Sequence, residues 1–355
     1  MPMNFKSIVY YITNWEAWDW RLKYVPLIPS WISYCIRSGS VWFFTPSNPS
    51  LVFGGFDGVS KREMYQQLPP GSYPKTIYIS GKSSFSEVES LFTVNNFHYP
   101  VAVKPETGRM GLMFRKIETL SDLRLYHEKM PVNYILQDFI DYPIEVSVFY
   151  YRFPGENTGT ITGFLRKDYL QVTGDGKSTL CELITASPRA YLRLKELKLK
   201  HKDKLDNVIP YGEMFRLSDA LNLSRGGKLV CLEHEKDERL LETINKLSRY
   251  SRHFYYGRYD IKCASIEGLK RGENFTILEY NGSGGEPHHV YGNGNSLFTA
   301  CKILLQHWNV LYKISKYNHK KGISYWKLAK GWKFLQQANK HVSMLKKLDL
   351  EFPVS

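Results

Sequence analysis

Between Tyr256 and Tyr291 the chain reads Y-G-R-Y-D-I-K-C, a short spacer, then F-T-I-L-E-Y-N-G-S-G-G-E-P-H-H-V-Y. Both halves are β-like runs that carry oxygen donors: Asp260 in the first, Glu279 and Asn281 at the end of the second. Residues i and i+2 of a strand share a face, so Glu279 and Asn281 point one way and Tyr280 the other. Two carboxylates and an amide oxygen form a hard donor set, suited to Mg²⁺ (or Mn²⁺) that also holds phosphates. Gly282, Gly284 and Gly285 follow as a flexible turn whose backbone amides can approach an anion. Acid-x-Asn is a short pattern, and an ordinary hairpin with solvated acids also satisfies it.

Length and composition bound the alternatives. A chain of 355 residues has room for two or three domains. It contains no apolar run of eighteen residues, so no membrane-spanning helix is expected. The start, M-P-M-N-F-K-S, lacks the apolar core and cleavage site of a signal peptide. Five scattered cysteines with no C-x-x-C pair point to reduced thiols and argue against structural zinc. The formal net charge of +14 favours anionic partners, and the basic excess is concentrated in the last sixty residues.

Taken in order, residues 1–55 are dense in aromatics, with Trp15, Trp18, Trp20, Trp31, Trp42, Phe43 and Phe44. Their pattern is too irregular for a firm helix or strand, and Pro26 and Pro29 break the run. A small packed domain fits, and so does a face that meets a greasy or aromatic substrate or lipid headgroups. A helix is expected from Lys61, ended by Pro69-Pro70-Gly71, then a strand over P-K-T-I-Y-I-S and a short helix over F-S-E-V-E-S-L-F. The strand Y-P-V-A-V-K ends at Lys104, and the loop P-E-T-G-R-M-G follows. Gly108 and Gly111 let its amides wrap a phosphate while Lys104 adds a point charge. This is no Walker A loop, and neither is G-D-G-K-S-T at 174–179, which has Gln171 where the first glycine belongs. A strand over L-M-F-R-K-I, a helix over 121–130, and strands over N-Y-I-L-Q-D-F-I and P-I-E-V-S-V-F-Y-Y-R come next. Glu145 opens the last, otherwise apolar, run. Beyond it lie a strand T-I-T-G-F-L-R, a helix start capped by Ser178 or Thr179, and a basic amphipathic helix over 189–204.

Together these elements resemble the ATP-grasp ligases over roughly Lys61 to Tyr291. V-K-P with a glycine-bearing loop, Q-x-F-I followed by Glu145, Arg258-x-Asp260, and Glu279-x-Asn281-x-x-Gly284-Gly285 occur in the family's order. The D-alanine–D-alanine ligase and cyanophycin synthetase branches are the nearest in motif. The resemblance implies an α/β (α+β) fold in which two lobes hold ATP between them. A small aromatic N-terminal domain precedes the lobes and a basic helical extension follows them. It implies Lys61 and Lys104 on phosphates, with Gly108 and Gly111 in the closing loop. Gln137, Phe139 and Ile140 would lie in the adenine-binding linker, and Glu145 on the ribose. Asp260, Glu279 and Asn281 would be metal ligands, and Arg258 and Gly285 would stabilise the reacting centre. Arg166 and Lys167 both stand where the family places another phosphate-contacting cation, and the sequence does not choose between them. Arg216, Ser224, Arg225 and His288 are the substrate candidates, since a guanidinium fork matches a carboxylate. The loop lacks the paired serines of D-alanine ligases, and the first domain lacks their glycine loop.

The implied organisation is 1–98 (first domain and linker), 99–295 (ATP-grasp domain, lobes about 99–140 and 141–295) and 296–355 (helical extension). The implied activity is ATP-dependent joining of a small-molecule carboxylate to an amine, with no specific nucleic acid as partner. A phosphotransferase, or a non-catalytic nucleotide-binding protein at a membrane, are the alternatives. Two helices are expected over 296–316 and 323–347. The second mixes Trp with Lys and reads as a packing helix or as an interfacial helix on an anionic membrane. The expected location is the cytoplasm, with peripheral contact at the inner membrane face.

Overall fold

The computed structural model describes residues 9, 13–218, 227–251, 253–291 and 294–352. In chain order its elements begin with α1 (Trp20–Tyr24), α2 (Ile28–Ser38), α3 (Lys61–Tyr65), β1 (Thr76–Ile79), α4 (Phe85–Val94), β2 (Val101–Pro105), β3 (Arg115–Ile117), α5 (Leu120–Lys129) and β4 (Tyr134–Asp138). There follow β5 (Ile144–Tyr151), β6 (Thr160–Asp168), β7 (Gln171–Thr173), α6 (Leu180–Ala186), α7 (Pro188–Tyr191), α8 (Leu194–Lys200), β8 (Met214–Arg216), β9 (Lys228–Cys231) and α9 (Glu238–Tyr250). The chain closes with β10 (Tyr256–Cys263), α10 (Ile266–Arg271), β11 (Phe275–Asn281), α11 (Leu297–Lys320) and α12 (Leu328–Glu351).

The fold is mixed α/β, built on two antiparallel sheets. The smaller has strand order β1-β4-β2-β3. Val101, Val103, Tyr134 and Leu136 on one of its faces pack with Val88 of α4 and Leu123 and Tyr126 of α5. Both helices start on reciprocal caps, Ser84 with Glu87 and Thr119 with Asp122, which satisfy the first free amides. β1 pairs with β4 from Thr76↔Gln137 to Ile79↔Tyr134, so the division drawn at residue 98 runs through this lobe. Strand period, read locally, could not show which neighbour β1 would find.

The larger sheet has order β11-β10-β5-β6-β9. Its odd-even alternation separates two chemistries. Val146, Val148, Tyr150, Tyr259, Ile261, Ile277 and Tyr280 face α9 and α10 and form the main core with Leu240, Ile244 and Leu269. The opposite face carries Glu145, Ser147, Lys167, Arg258, Asp260, Glu279 and Asn281. Between β6 and β9 the chain inserts a subdomain with its own core, including Leu180, Ile184, Leu197 and Leu217. The helix expected over 189–204 is split there into α7 and α8. Thr179, not Ser178, caps α6.

The aromatic N-terminal stretch is helical where the sequence suggested no firm element. Pro29 does not break it: proline occupies the first turn of α2, where its missing N–H has no partner to lose. Trp31, Tyr34, Phe43, Phe44 and Phe53 pack with Phe149, Tyr256 and Leu311. They cover one end of the polar face of the large sheet and leave the other end open. α12 crosses from this cluster, through Phe334, to the core of the small lobe, through Val342 and Leu345. α11 ends four residues beyond the expected 316, whereas α12 starts five residues after the expected 323 and ends four beyond 347. No helix among the described residues is long and apolar enough to cross a membrane.

Candidate active site

A cleft of about 1530 Å³ lies between the two sheets. Its floor is set by strand register. Asp260 lies opposite Glu279, and Arg258 opposite Asn281. On the other flank Asp260 lies opposite Ser147 and Lys262 opposite Glu145. Glu145 in turn lies opposite Lys167. An irregularity after Asp260 shifts the register, so that Ile261 meets Ile277 and Leu278 is extra. It keeps both acids on the cleft side while the next residues return to the core.

These side chains form one network. Lys167 Nζ lies 3.0 Å from Glu145 Oε1 and 3.0 Å from Asp260 Oδ1. Arg258 grips both oxygens of Asp260, at 3.1 and 3.2 Å, and donates to the Glu286 carbonyl at 2.9 Å. Asn281 Nδ2 reaches Asp260 Oδ2 at 3.3 Å. Burial alone would raise the Asp260 carboxyl, but Arg258 and Lys167 hold it well below the usual range. Burial works against the Lys167 ammonium too, yet Asp260 and Glu145 lift its pKa above the ordinary value. Burial, then repulsion from Arg258, holds His288 well below the usual imidazole range, so its ring is neutral. Its Nδ1 sits 3.2 Å from Ser147 Oγ.

The roof is the loop after β2. Lys104 lines the cleft at its base, its pKa lowered by burial. The left-handed conformation of Met110 and Gly111 folds the loop back over the cleft. Four contacts hold it there. Lys61 donates its backbone N–H to Glu106 O at 2.8 Å and its Nζ to Gly108 O at 2.9 Å. Arg109 pairs with Asp57 at 2.7 Å. His341 of α12 meets Thr107 O at 2.8 Å. Lys61 Nζ also stands 3.6 Å from Glu279, which joins roof to floor.

Most residues singled out in the sequence line this one cleft, and parity decides between neighbours. Lys167 faces in, whereas Arg166 pairs with Asp168. Arg216 lines the rim, stacked 3.7 Å from the Tyr169 ring centre. Phe139 and Ile140 line it too, the latter held by Lys262 Nζ on its carbonyl at 2.8 Å. Gln137 differs from expectation. It lies between Thr76 and Ala102 in the ladder, and its side chain donates to Tyr65 Oη and Thr76 Oγ1. Its backbone thus lies within the sheet, between β1 and β2. Gly285 differs as well: its N–H donates to Gly282 O at 2.8 Å, and that of Gly284 to Gly55 O at 3.1 Å. The turn binds itself, so neither amide is turned toward an oxyanion here. Ser224 and Arg225 lie outside the described residues. Glu286 was missed: Tyr24 donates to its Oε1 at 2.8 Å and Tyr291 shares that oxygen. No local signal marks it, because its tyrosine partners come from remote segments.

The donor set suits a hard divalent cation. Among the described residues no three His, Cys, Asp or Glu side chains gather for a metal. The third donor here is the Asn281 amide, on the same face as Asp260 and Glu279. Glu279 has a side chain 37% exposed, with Lys61 at 3.6 Å and the charges of Lys104 and Arg258 close enough to act on it. The whole lining balances acids and cations, but around the strand floor Lys61, Lys104, Lys167, Arg258 and Lys262 outnumber Glu145, Asp260 and Glu279, a local excess suited to a polyphosphate.

No family model matches the chain, and no curated protein matches its sequence. Solved structures do. A bifunctional glutathione synthetase from Pasteurella multocida aligns at 15% identity and TM-score 0.38, over 73% of this chain and 35% of that one. D-alanine--D-alanine ligase from Bacillus anthracis aligns at 14% identity and TM-score 0.41, over 74% and 69%. VanG D-Ala:D-Ser ligase from Enterococcus faecalis aligns at 15% identity and TM-score 0.37, over 68% and 57%. The match thus spans about a third of the first of these proteins. All are ATP-grasp enzymes, the group that the motifs resemble.

Proposed function

We propose that this chain is an ATP-dependent carboxylate–amine ligase of the ATP-grasp kind. The observation that supports this reading is the shared face of Arg258, Asp260, Glu279 and Asn281, joined by Lys167 and Glu145 and roofed by Lys104 and a glycine loop. A carboxylate does not condense with an amine in water, because oxide is a poor leaving group. In the proposed first step a carboxylate oxygen attacks the γ-phosphorus and ADP leaves. In the second, the amine nitrogen attacks the acyl phosphate carbon, phosphate leaves, and the nitrogen loses a proton.

Each side chain has a place in that scheme. Lys61, Lys104 and Lys167 neutralise phosphate oxygens. Phe139 and Ile140 border the base, and Glu145 accepts from the ribose hydroxyls. Arg258, fixed by Asp260 and the Glu286 carbonyl, faces charge that develops on the transferring phosphoryl and the tetrahedral intermediate. Asp260, Glu279 and Asn281 would hold Mg²⁺ or Mn²⁺, which when bound screens the phosphate charge. Arg216 and the neutral His288 border the space left for the acid and the amine.

Two measurements test this. Mg-ATP should raise the melting temperature, by mass action on the folded state. An ADP-release screen across paired acid and amine libraries should find turnover that requires both. ADP release at full rate with the phosphate acceptor alone would replace the ligase with a phosphotransferase. Absence of any shift with Mg-ATP would remove the nucleotide site.

A further inference from the structure

The formal excess of +14 has a single address. Residues 20–56 contain Arg21, Lys23, Arg37 and no acid; residues 296–348 contain eleven lysines and no acid. Those fourteen cations are the whole excess, and the remainder of the chain is balanced. The two segments are also packed on each other. Trp31 meets Trp308 at 4.8 Å between ring centres, Tyr34 meets Tyr312 at 4.9 Å, and Phe53 meets Trp326 at 5.0 Å. The Trp42 indole donates to the Leu328 carbonyl at 3.2 Å. The two segments themselves carry no carboxylate; Asp19 and Glu16 border only the start of α1, beside Arg21 and Lys23.

That side exposes an apolar stripe. Along α1, the turn Val25–Leu27 and α2, the residues Leu22, Val25, Ile28, Ile32 and Ile36 recur every three or four positions, which places them on one helical face. The opposite face is buried through Leu27 and Tyr34. Ile36 is 75% exposed and the other four about half. Beside the far end, Val41, Leu328 and Trp332 are exposed as well. Cations frame the stripe: Arg37 and Lys316 both lie over the Tyr312 ring, at 4.7 and 5.5 Å, and Lys330 lies over Trp326 at 4.0 Å.

We infer that this side of the protein docks on an anionic lipid bilayer. The stripe enters the boundary between headgroups and acyl chains, Trp332 lies at headgroup level, and the lysines meet lipid phosphates. Charge selects this occupant. A second copy would bring the whole positive excess against itself. A nucleic acid would meet the lysines but leave five aliphatic side chains facing water. The sequence offered lipid contact both for the aromatic first stretch and for the last helix. The structure commits much of α12 to the two lobes and makes the α1–α2 stripe the larger apolar contribution.

The test is co-sedimentation of the full chain with vesicles of phosphatidylcholine alone or with about a third phosphatidylglycerol. Binding is expected only to the acidic vesicles, weakening as salt shortens the screening length. Ile32→Gln combined with Ile36→Gln should lower the partition coefficient at least about tenfold without moving the melting temperature, since both side chains are exposed. Lack of binding to acidic vesicles overturns the inference. So does binding that the double substitution leaves unchanged. A dimer in vesicle-free solution that the double substitution splits would make the stripe a self-interface and overturn it too.

Discussion

Replacing Lys167 by methionine tests the electrostatic frame of the cleft before any substrate is known. The ammonium is 3% exposed and bridges Glu145 and Asp260, whose side chains are 10% and 8% exposed. Asp260 keeps Arg258 in the variant. Glu145 keeps only the weaker, longer-range attraction of Lys104 and Lys262. Stranding a buried charge in this way costs about 3–5 kcal/mol. Glu145→Gln in the same background removes the stranded charge and should restore about 1–3 kcal/mol, the coupling typical of contacting groups. The pH dependence has a definite sign. The folded-state pKa of Lys167 is raised, so its stabilisation is fully present below the unfolded value near 10.5 and lost only as pH rises through the higher folded value. The wild type therefore gains no slope from this group between pH 5 and 9. Urea titration without nucleotide or metal, followed by tryptophan fluorescence and far-ultraviolet circular dichroism, gives all three quantities. A Lys167→Met variant within about 1 kcal/mol of wild type at pH 7, or one indifferent to Glu145→Gln, would refute the reasoning.

Three other outcomes follow from the same coordinates. Glu279→Gln should cut ADP release by about 10²–10³ while leaving the melting temperature nearly unchanged, because Glu279 is partly exposed and its one close ion pair, with Lys61, is at 3.6 Å; an active variant would contradict the metal assignment. Burial depresses the His307 pKa to about 3, against an unfolded value near 6.5. The unfolded chain thus takes up a proton first, so stability is full above pH 6.5 and declines toward pH 3, by about 2–3 kcal/mol at pH 4.5. His307→Phe should flatten that decline in urea titrations at pH 7 and 4.5. Gly284→Ala would place a Cβ 1.9 Å from the Phe56 carbonyl oxygen, so the turn and the 53–57 segment cannot both keep their places. A loss of about 1–3 kcal/mol is expected in thermal unfolding, and an unperturbed melting curve would show that the contact is not rigid.

The parts of the site that were legible in the sequence are those fixed by strand parity. Glu279 and Asn281 had to share a face whatever surrounded them, and Glu145 announced itself as a charge opening an apolar strand. Parity alone could not choose between Arg166 and Lys167, because T-I-T-G-F-L-R has no marked phase. The choice is made by pairing with β5, which shifts register after Phe149, where that residue meets Gly163 and Tyr150 meets Ile161. Nor could it place Asp260 against Glu279: α10 intervenes in the chain and the extra Leu278 moves the ladder. The features that remained hidden are contacts between remote segments. His341 on the Thr107 carbonyl joins positions 234 apart, and Tyr24 on Glu286 joins positions 262 apart. Neither leaves a local signature, since histidine on a helix and tyrosine in an aromatic stretch are both ordinary. The same division explains Gly285. A glycine turn after a polar strand reads as an anion cradle, but whether its amides face a ligand or close on their own carbonyls depends on packing against 54–56, which the turn's own residues do not encode. Local period therefore delivers the floor of such a cleft, while its roof and its ends are fixed by how distant segments close upon it.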